Sequence, residues 1–315
     1  MLMGILKRGS LPGYARQLSR VSLSQLHVPS GQMPLEGQVG DLGCDDWIVV
    51  PSCSRAVLAS HRGLRCNVAY WLREPRAIQN RFYWTMPAIS RRYDRVLTYD
   101  RDLCRTTPNA AFVAHGGCWI DSPSEAGGIE KTDWMSIIAS PKRDAEGHRL
   151  RHRVIHWASG AGMPLQSFGR EYQWLEDKRD AHESFAYSLV IENSRTSNYF
   201  TEKLIDCFVC NSLPIYWGAP EIAEYFDTRG MLICESFEDV CQQIRTATRQ
   251  LYQSKLPFIR ANRIRAMRYA NPFALVFDSI RGRCDLPQVR GLRQVKLDDS
   301  RAFPSRTGVL SEVAM

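Results

Sequence analysis

Residues able to bind a phosphate or a sugar follow an apolar run near the middle of the chain. Glu192, Asn193 and Ser194 come directly after the run, and Glu202 and Lys203 open a segment with helical apolar spacing. The free N–H groups and positive dipole of a helix start, beside a lysine, suit a phosphate. Spacing alone leaves two interpretations open: a nucleotide or sugar-phosphate site, and a surface charge pair of little energetic value.

The elements that must position these residues alternate between short apolar runs and helix-length segments. Strands are predicted at 47–50, 68–72, 95–99, 111–114, 135–139, 187–191, 213–217 and 231–234, and helices at 147–159, 170–182, 200–210 and 237–253. This alternation predicts an α/β protein with parallel sheets. In such sheets ligands bind outside the carboxyl ends of the strands, where residues 192–194 would lie.

The chain length of 315 residues and a glycine-rich break near 116–128 predict two α/β domains. We predict a flexible N-terminal extension over 1–43, a first domain over 44–128, a second over 129–284 and a flexible tail over 285–315. The last helices are expected to be free to cross back to the first domain.

The net charge of +8 is concentrated near the C-terminal end, where residues 242–283 hold nine basic residues and a single acid, Asp278. A solvated helix face, a phosphate-bearing ligand and an anionic membrane surface all remain open. Nucleic acid is disfavoured because aromatic residues do not alternate with the arginines. No run approaches the roughly 20 apolar residues of a membrane span. We therefore predict a cytoplasmic protein, with weak peripheral membrane contact as a further prediction.

Cysteines and histidines give no metal signal. The ten cysteines are spread along the chain, and Cys207 and Cys210 lack a second ligand pair, so we predict buried thiols. His148, His152 and His156 share one helix face, but arginines separate them and no carboxylate or cysteine partner is near. No metal site is predicted.

Three motifs give a family resemblance. The sequence has Ile-Glu-Asn-Ser at 191–194, Tyr-Phe-Thr-Glu-Lys-Leu at 199–204 and Leu-Pro-Ile-Tyr-Trp-Gly-Ala-Pro at 213–220. In order and spacing this resembles the C-terminal signature of the α1,3/4-fucosyltransferases, glycosyltransferase family ten. The similarity is dense over 185–222 and loose upstream of 120. Ile191 replaces an aromatic residue, and Phe200 replaces a valine.

The resemblance implies a GT-B fold, two Rossmann-like domains with parallel sheets, and an inverting transfer from GDP-fucose that needs no bound metal. It also implies that the nucleotide is held by the C-terminal domain. Tyr199, Glu202 and Lys203 match the family's nucleotide-contacting positions. Arg151 matches its phosphate-binding arginine, although Arg149 and Arg153 are close in sequence.

Glu192 and Asn193 are expected near the sugar. An inverting transfer also needs a general base, which in this family is a glutamate of the N-terminal domain. The matching stretch ends in Asp100, which is the predicted base, with Glu74 and Glu125 as alternatives.

The expected acceptor is a glycan, oligosaccharide or lipid-linked, in glycan biosynthesis or protein glycosylation. Two further hypotheses stay open: the same fold with another nucleotide sugar, and a non-catalytic glycan-binding relative. A basic nucleic-acid-binding regulator is a third.

Overall fold

A computed structural model of the chain describes residues 1–7, 17–28, 36–52, 59–120 and 130–282, which form two compact units. The first unit contains residues up to 114 and takes up the chain again at 273, and the second spans 115–272. The boundary thus lies before the glycine-rich segment and not at 128. The predicted tail over 285–315 lies outside the described residues.

The first unit is built on a six-stranded sheet with the order β2-β1-β3-β4-β5-β6, parallel except for the pair β1 and β2. Its strands are β1 (Met3–Leu6), β2 (Leu26–His27), β3 (Trp47–Pro51), β4 (Asn67–Leu72), β5 (Arg95–Thr98) and β6 (Ala110–Phe112). Its helices are α1 (Arg76–Ile89), α2 (Arg101–Thr106) and α7 (Pro272–Ile280).

The prediction of a flexible extension over 1–43 is wrong for the described residues. Strand β1 pairs with β3, and Met3 and Ile5 are buried. The stretch 17–28 adds β2 and two 3-10 turns, with Leu18 and Leu23 in the core. A four-residue strand shows too little of the period-two pattern to be found from sequence.

Both faces of this sheet are covered, which explains its continuous apolar runs. Within β3, Ile48 and Val50 belong to one core cluster, whereas Val49 belongs to another. The second cluster includes Val276 and Phe277 of α7. The return of the chain to the first unit therefore supplies one layer of its core.

The second unit has a five-stranded parallel sheet with the order β11-β10-β9-β7-β8. Its strands are β7 (Asp133–Ile138), β8 (Leu165–Phe168), β9 (Phe185–Ile191), β10 (Leu213–Trp217) and β11 (Leu232–Ile233). Its helices are α3 (Glu146–Gly160), α4 (Glu202–Val209), α5 (Phe237–Thr246) and α6 (Arg249–Met267). The predicted α/β class with two parallel-dominated sheets is confirmed.

Two predicted helices differ from the structure. The helix at 170–182 is absent: that stretch holds a 3-10 turn at Lys178–Ala181, and the preceding strand β8 was not predicted. The helix at 237–253 is instead α5 followed by α6, because Ser236 and Thr248 each cap a new helix start by accepting a backbone N–H. Among the described residues, no helix is long and apolar enough to cross a membrane.

Candidate nucleotide-sugar site

The strand order of the second unit reverses between β7 and β9. The connection after β7 leads through α3 to β8, while the connection after β9 leads through α4 to β10 on the other side. The carboxyl ends of β7 and β9 therefore form a topological switch point, the usual place for a ligand in an open α/β sheet. Residues 192–203 leave β9 and enter α4 at this point.

The carboxylate of Glu192 ties the end of β9 to the start of α4. Its two oxygens accept hydrogen bonds from the backbone N–H and the hydroxyl of Thr201, at 2.8 and 2.7 Å. Burial raises the pKa of Glu192, and Lys203, 3.8 Å away, opposes the shift. Glu192 has no exposed surface, so its geometry favours support from beneath the site over direct contact with a ligand.

Arg151 of α3 reaches the same strand end. Its Nε donates to the carbonyl oxygen of Ile191 at 3.0 Å, and its Nη2 donates to Oδ1 of Asn193 at 2.7 Å. The amide of Asn193 lies 3.4 Å from the Tyr199 hydroxyl. The structure thus brings Arg151, Asn193 and Tyr199 together, and Arg151 and Tyr199 are largely buried.

A glycine at the start of α3 allows that helix to lie directly against the backbone that follows β9. The backbone N–H of Gly147, in the first turn of α3, donates to the carbonyl oxygen of Asn193 at 3.0 Å. A Cβ atom at Gly147 would lie 1.7 Å from the carbonyl oxygen of Glu192, an impossible contact. The helix start can therefore touch the strand end only with glycine here.

Glu202 and Lys203 begin α4 behind the N-cap Thr201. The Lys203 ammonium donates to Glu202 at 2.9 Å and to the Thr201 hydroxyl at 3.1 Å. Burial raises the pKa of Glu202, but Lys203 and Lys178 outweigh it and hold the carboxylate ionised. Burial by itself would lower the pKa of Lys203, but the negative charges of Glu202 and Glu192 outweigh burial, and the pKa is raised. Both side chains keep some exposed surface, which makes them available to a ligand.

The segment after residue 114 packs along α4 and adds residues that sequence analysis missed. The ring of His115 meets that of Tyr199 edge to face, with centroids 5.2 Å apart. Gly116 pairs with Thr201, and a Cβ atom there would lie 2.4 Å from the carbonyl oxygen of Tyr269. The Gly116-Gly117 pair, interpreted only as a break, was the available signal for this close packing.

Asp206 anchors the same segment one turn further along α4. Its Oδ1 accepts the backbone N–H of Trp119 at 2.7 Å, and the ammonium of Lys178 lies 4.4 Å from the Trp119 ring centroid. Burial raises the pKa of Asp206 to about 7. The backbone of Trp119 is therefore fixed by Asp206, and its ring is covered by Lys178.

The neighbouring arginines of α3 have other contacts. Arg149 donates to the carbonyl oxygens of Arg143 and Asp144. Arg153 stacks on Phe237, with its guanidinium carbon 3.7 Å from the ring centroid, and lines a pocket of about 230 Å³ together with Arg149 and Trp217. Of the three arginines, only Arg151 contacts Asn193.

The histidines of α3 have separate structural contacts. Nδ1 of His148 lies 3.2 Å from the backbone nitrogen of Ala145, and His152 contacts Ser140 and Tyr172. Within the described ranges no three His, Cys, Asp or Glu side chains are grouped as a metal site would require. Cys207 and Cys210 are buried and free, as predicted.

The predicted base Asp100 lies in the first unit as the N-cap of α2. Its Oδ1 accepts the backbone N–H of Leu103 and its Oδ2 accepts from Nε of Arg76, both at 2.9 Å. The carboxylate of Glu74, after β4, forms no hydrogen bond or ion pair with another residue that the structure describes. Glu125 lies outside the described residues.

Comparison with known proteins gives a related sequence. No protein-family model matches the chain. It is 29% identical over 118 residues to the α-(1,3)-fucosyltransferase FucT of Helicobacter pylori, a match that covers 36% of this chain and 24% of the length of that relative. The chain therefore matches about a quarter of the curated relative. The resemblance to the α1,3-fucosyltransferases is confirmed at this level.

Solved structures define the fold. The Anabaena protein HepE, crystallised with UDP and glucose, aligns with a TM-score of 0.55 at 9% identity, over 75% of this chain and 77% of that one. TarM aligns with a TM-score of 0.51 at 7% identity, over 76% and 55%. At such identities the similarity shows the fold alone. The fold is the α/β GT-B type, as predicted.

Proposed function

We propose that the chain is a glycosyltransferase that moves fucose from GDP-fucose to a hydroxyl of a glycan acceptor, with inversion and without a bound metal. The observation that carries the proposal is the polar cluster of Arg151, Asn193, Glu202 and Lys203 at the switch point of the second sheet. The relation to the H. pylori fucosyltransferase supports fucose as the sugar.

The cluster contains the groups that a nucleoside diphosphate needs. Glu202, held ionised, is proposed to accept hydrogen bonds from ribose hydroxyls. Lys203 and Arg151 supply positive charge for the diphosphate, whose negative charge grows as the bond to the sugar breaks. Two fixed cations can then do the work of a divalent metal. Glu192 and Thr201 hold the helix start that carries Glu202 and Lys203.

Inversion requires one displacement step. The acceptor hydroxyl oxygen attacks the anomeric carbon of fucose, the bond from that carbon to the β-phosphate oxygen breaks, and GDP departs with the electron pair. A carboxylate takes the hydroxyl proton. Asp100 was the predicted base, but both its oxygens already accept hydrogen bonds. The uncommitted carboxylate favours Glu74 for this role.

The acceptor is proposed to be an oligosaccharide or lipid-linked glycan, and the protein to work in the cytoplasm in peripheral contact with a membrane. A hydroxyl on a sugar fits the displacement chemistry, and lipid-linked glycans present that hydroxyl at a membrane surface. Two competing hypotheses assume the same fold. In one the donor is another nucleotide sugar, and in the other the protein binds glycans without transferring a sugar.

The test is calorimetric titration of the whole chain with GDP, UDP and CMP, alongside Lys203→Ala. We expect selective GDP binding that the variant loses, followed by release of GDP from GDP-fucose in the presence of glycan acceptors. Preference for UDP or CMP would overturn the assignment of GDP-fucose as the donor but would still agree with a glycosyltransferase fold. GDP binding with no transfer to any acceptor of a glycan panel would favour the non-catalytic hypothesis.

A further inference from the structure

Helix α1 of the first unit has an outer face of unusual chemistry. Trp84 is 75% exposed, although large apolar side chains are normally buried. Ile78, which is 43% exposed, precedes the non-helical residue Gln79 and is not part of this face. The buried side of the same helix consists of Phe82, Tyr83 and Met86, which pack into the core. Trp84 is therefore not needed to hold the helix on the sheet.

The exposed residues fall on one line along the helix. Arg81, Trp84, Ala88 and Arg91 follow one another at intervals of three, four and three residues, which places them on the same helix face. Arg91 belongs to the 3-10 turn Ser90–Arg92 that continues the helix. All four are exposed.

The charge of this surface has one sign. From 75 to 93 the chain contains four arginines and no acidic residue. Arg76 is taken up by the ion pair with Asp100, whereas Arg81, Arg91 and Arg92 form no ion pair with any carboxylate of the described residues. Arg81 and Arg91 thus share a helix face with an exposed indole, and Arg92, whose guanidinium donates to the carbonyl oxygen of Ala59, follows directly.

We propose that this α1 surface, defined by Arg81, Trp84, Arg91 and Arg92, docks the protein on an anionic lipid bilayer. Tryptophan favours the headgroup level of a membrane, where its ring is apolar on one side and wet on the other. Arginines beside it are attracted by anionic headgroups, and together these features characterise interfacial helices. The inference rests on the membrane contact of the proposed function and names the surface that makes it, but it can fail independently of transferase activity because it uses no donor-site residue.

The basic helix α6, for which sequence analysis leaves membrane contact open among other roles, is a weaker fit. Arg260, Ile264 and Arg268 are exposed at intervals of four residues, but no exposed tryptophan lies on that helix. Acidic proteins and nucleic acids also attract arginines, but neither explains an indole turned to solvent on the same helix face as these arginines.

The test is co-sedimentation of the full chain with two kinds of vesicle: phosphatidylcholine alone, and phosphatidylcholine with about 30% phosphatidylglycerol. We expect binding to the anionic vesicles only, weakened by raising salt from about 0.1 to about 0.5 M. Trp84→Ser is expected to reduce the partition coefficient about tenfold, and Arg81→Ser and Arg91→Ser about fivefold each.

Trp174→Ser is the matched control. Trp174 is 65% exposed but lies among Glu171, Glu176 and Asp177 in the second unit, so its loss should leave vesicle binding unchanged. Thermal unfolding and GDP titration of each variant report folding and the donor site separately. Absence of binding to anionic vesicles, equal binding to neutral ones, or full binding by both Trp84→Ser and the arginine variants would overturn the proposal. Preference for a DNA duplex over these vesicles would also overturn it.

Discussion

The Nη2 atom of Arg151 lies 2.7 Å from Oδ1 of Asn193, so a helix and a strand end meet in one polar unit at the switch point. The hydrogen bonds from Nε to the Ile191 carbonyl oxygen and from Nη2 to Asn193 occupy two of the five N–H donors of this guanidinium, which leaves donors for a phosphate. Asn193 thereby fixes the direction of a cation that sequence alone could not separate from its neighbours.

Replacing Arg151 is expected to weaken GDP binding selectively among the arginines of α3. Arg151→Ala removes a charged group that would hydrogen-bond to the diphosphate, so we expect the dissociation constant for GDP to rise about 30-fold. Arg153→Ala is the control, because Arg153 stacks on Phe237 and has no contact with Asn193. Calorimetry measures both; equal effects, or a larger loss in Arg153→Ala, would show that the wrong arginine has been assigned.

Gly147→Ala should destabilise the protein and its donor site together. The added methyl would meet the Glu192 carbonyl oxygen at 1.7 Å, so α3 must shift, at a cost of about 3 kcal/mol in unfolding free energy. Gly160→Ala, at the other end of α3, meets nothing within 4 Å and should be neutral or slightly stabilising. Denaturant unfolding of both variants checks this, and a stable Gly147→Ala would contradict the close approach.

Asp206 should make stability depend on pH. Its pKa is raised from 3.8 to about 7 by burial, so the folded state binds more protons than the unfolded state between these values. Stability supplied by the protonated form is therefore lost as pH rises through that window. Relative to Asp206→Asn, the unfolding free energy of the wild type should fall by on the order of 4 kcal/mol from pH 4 to pH 8. Parallel curves for the two proteins would be evidence against a protonated Asp206.

The general base can be assigned by comparing two variants in which a carboxylate is replaced by the matching amide, Glu74→Gln and Asp100→Asn. If Glu74 takes the proton, Glu74→Gln should lower kcat by about 100-fold or more while GDP still binds normally. Asp100→Asn should mainly lower the melting temperature, because Asp100 caps α2 and pairs with Arg76. Steady-state transfer rates and thermal unfolding distinguish the two. The opposite pattern would return the role to Asp100.

Lys131 should be a stabilising residue despite its charge. Its buried ammonium donates to the carbonyl oxygens of His182, Glu183 and Cys210 and to the Ser212 hydroxyl. Lys131→Met removes a charged donor from these buried carbonyls and should cost about 3 kcal/mol of unfolding free energy, although the His182 carbonyl keeps the Ser212 hydroxyl and the Phe185 N–H as donors. The exposed Lys142→Met serves as the comparison and should change stability little; a similar loss in both would exclude the buried network as the cause.

Much of the second unit follows from local pattern. The run 213–217 is apolar enough to predict strand β10 with its true bounds, and the apolar stripe after Glu202 predicts α4. Local signals fail for β1 and β2, whose partners come from distant parts of the chain. They also fail at 170–182, where charged residues and Gly169, at φ +131° against the carbonyl oxygen of Ala139, end the strand without starting a long helix.

The sequence by itself determined the α/β class, the motif residues and the charge pattern, because these depend on residue type and short-range spacing. Only the tertiary structure decided which residues meet. It brought Arg151 to Asn193 across 42 positions, set His115 beside Tyr199, and enclosed Glu192 under the start of α4. It also bonded both oxygens of Asp100 and exposed Trp84. Burial and partnership depend on the whole packed chain, so no local pattern contains them.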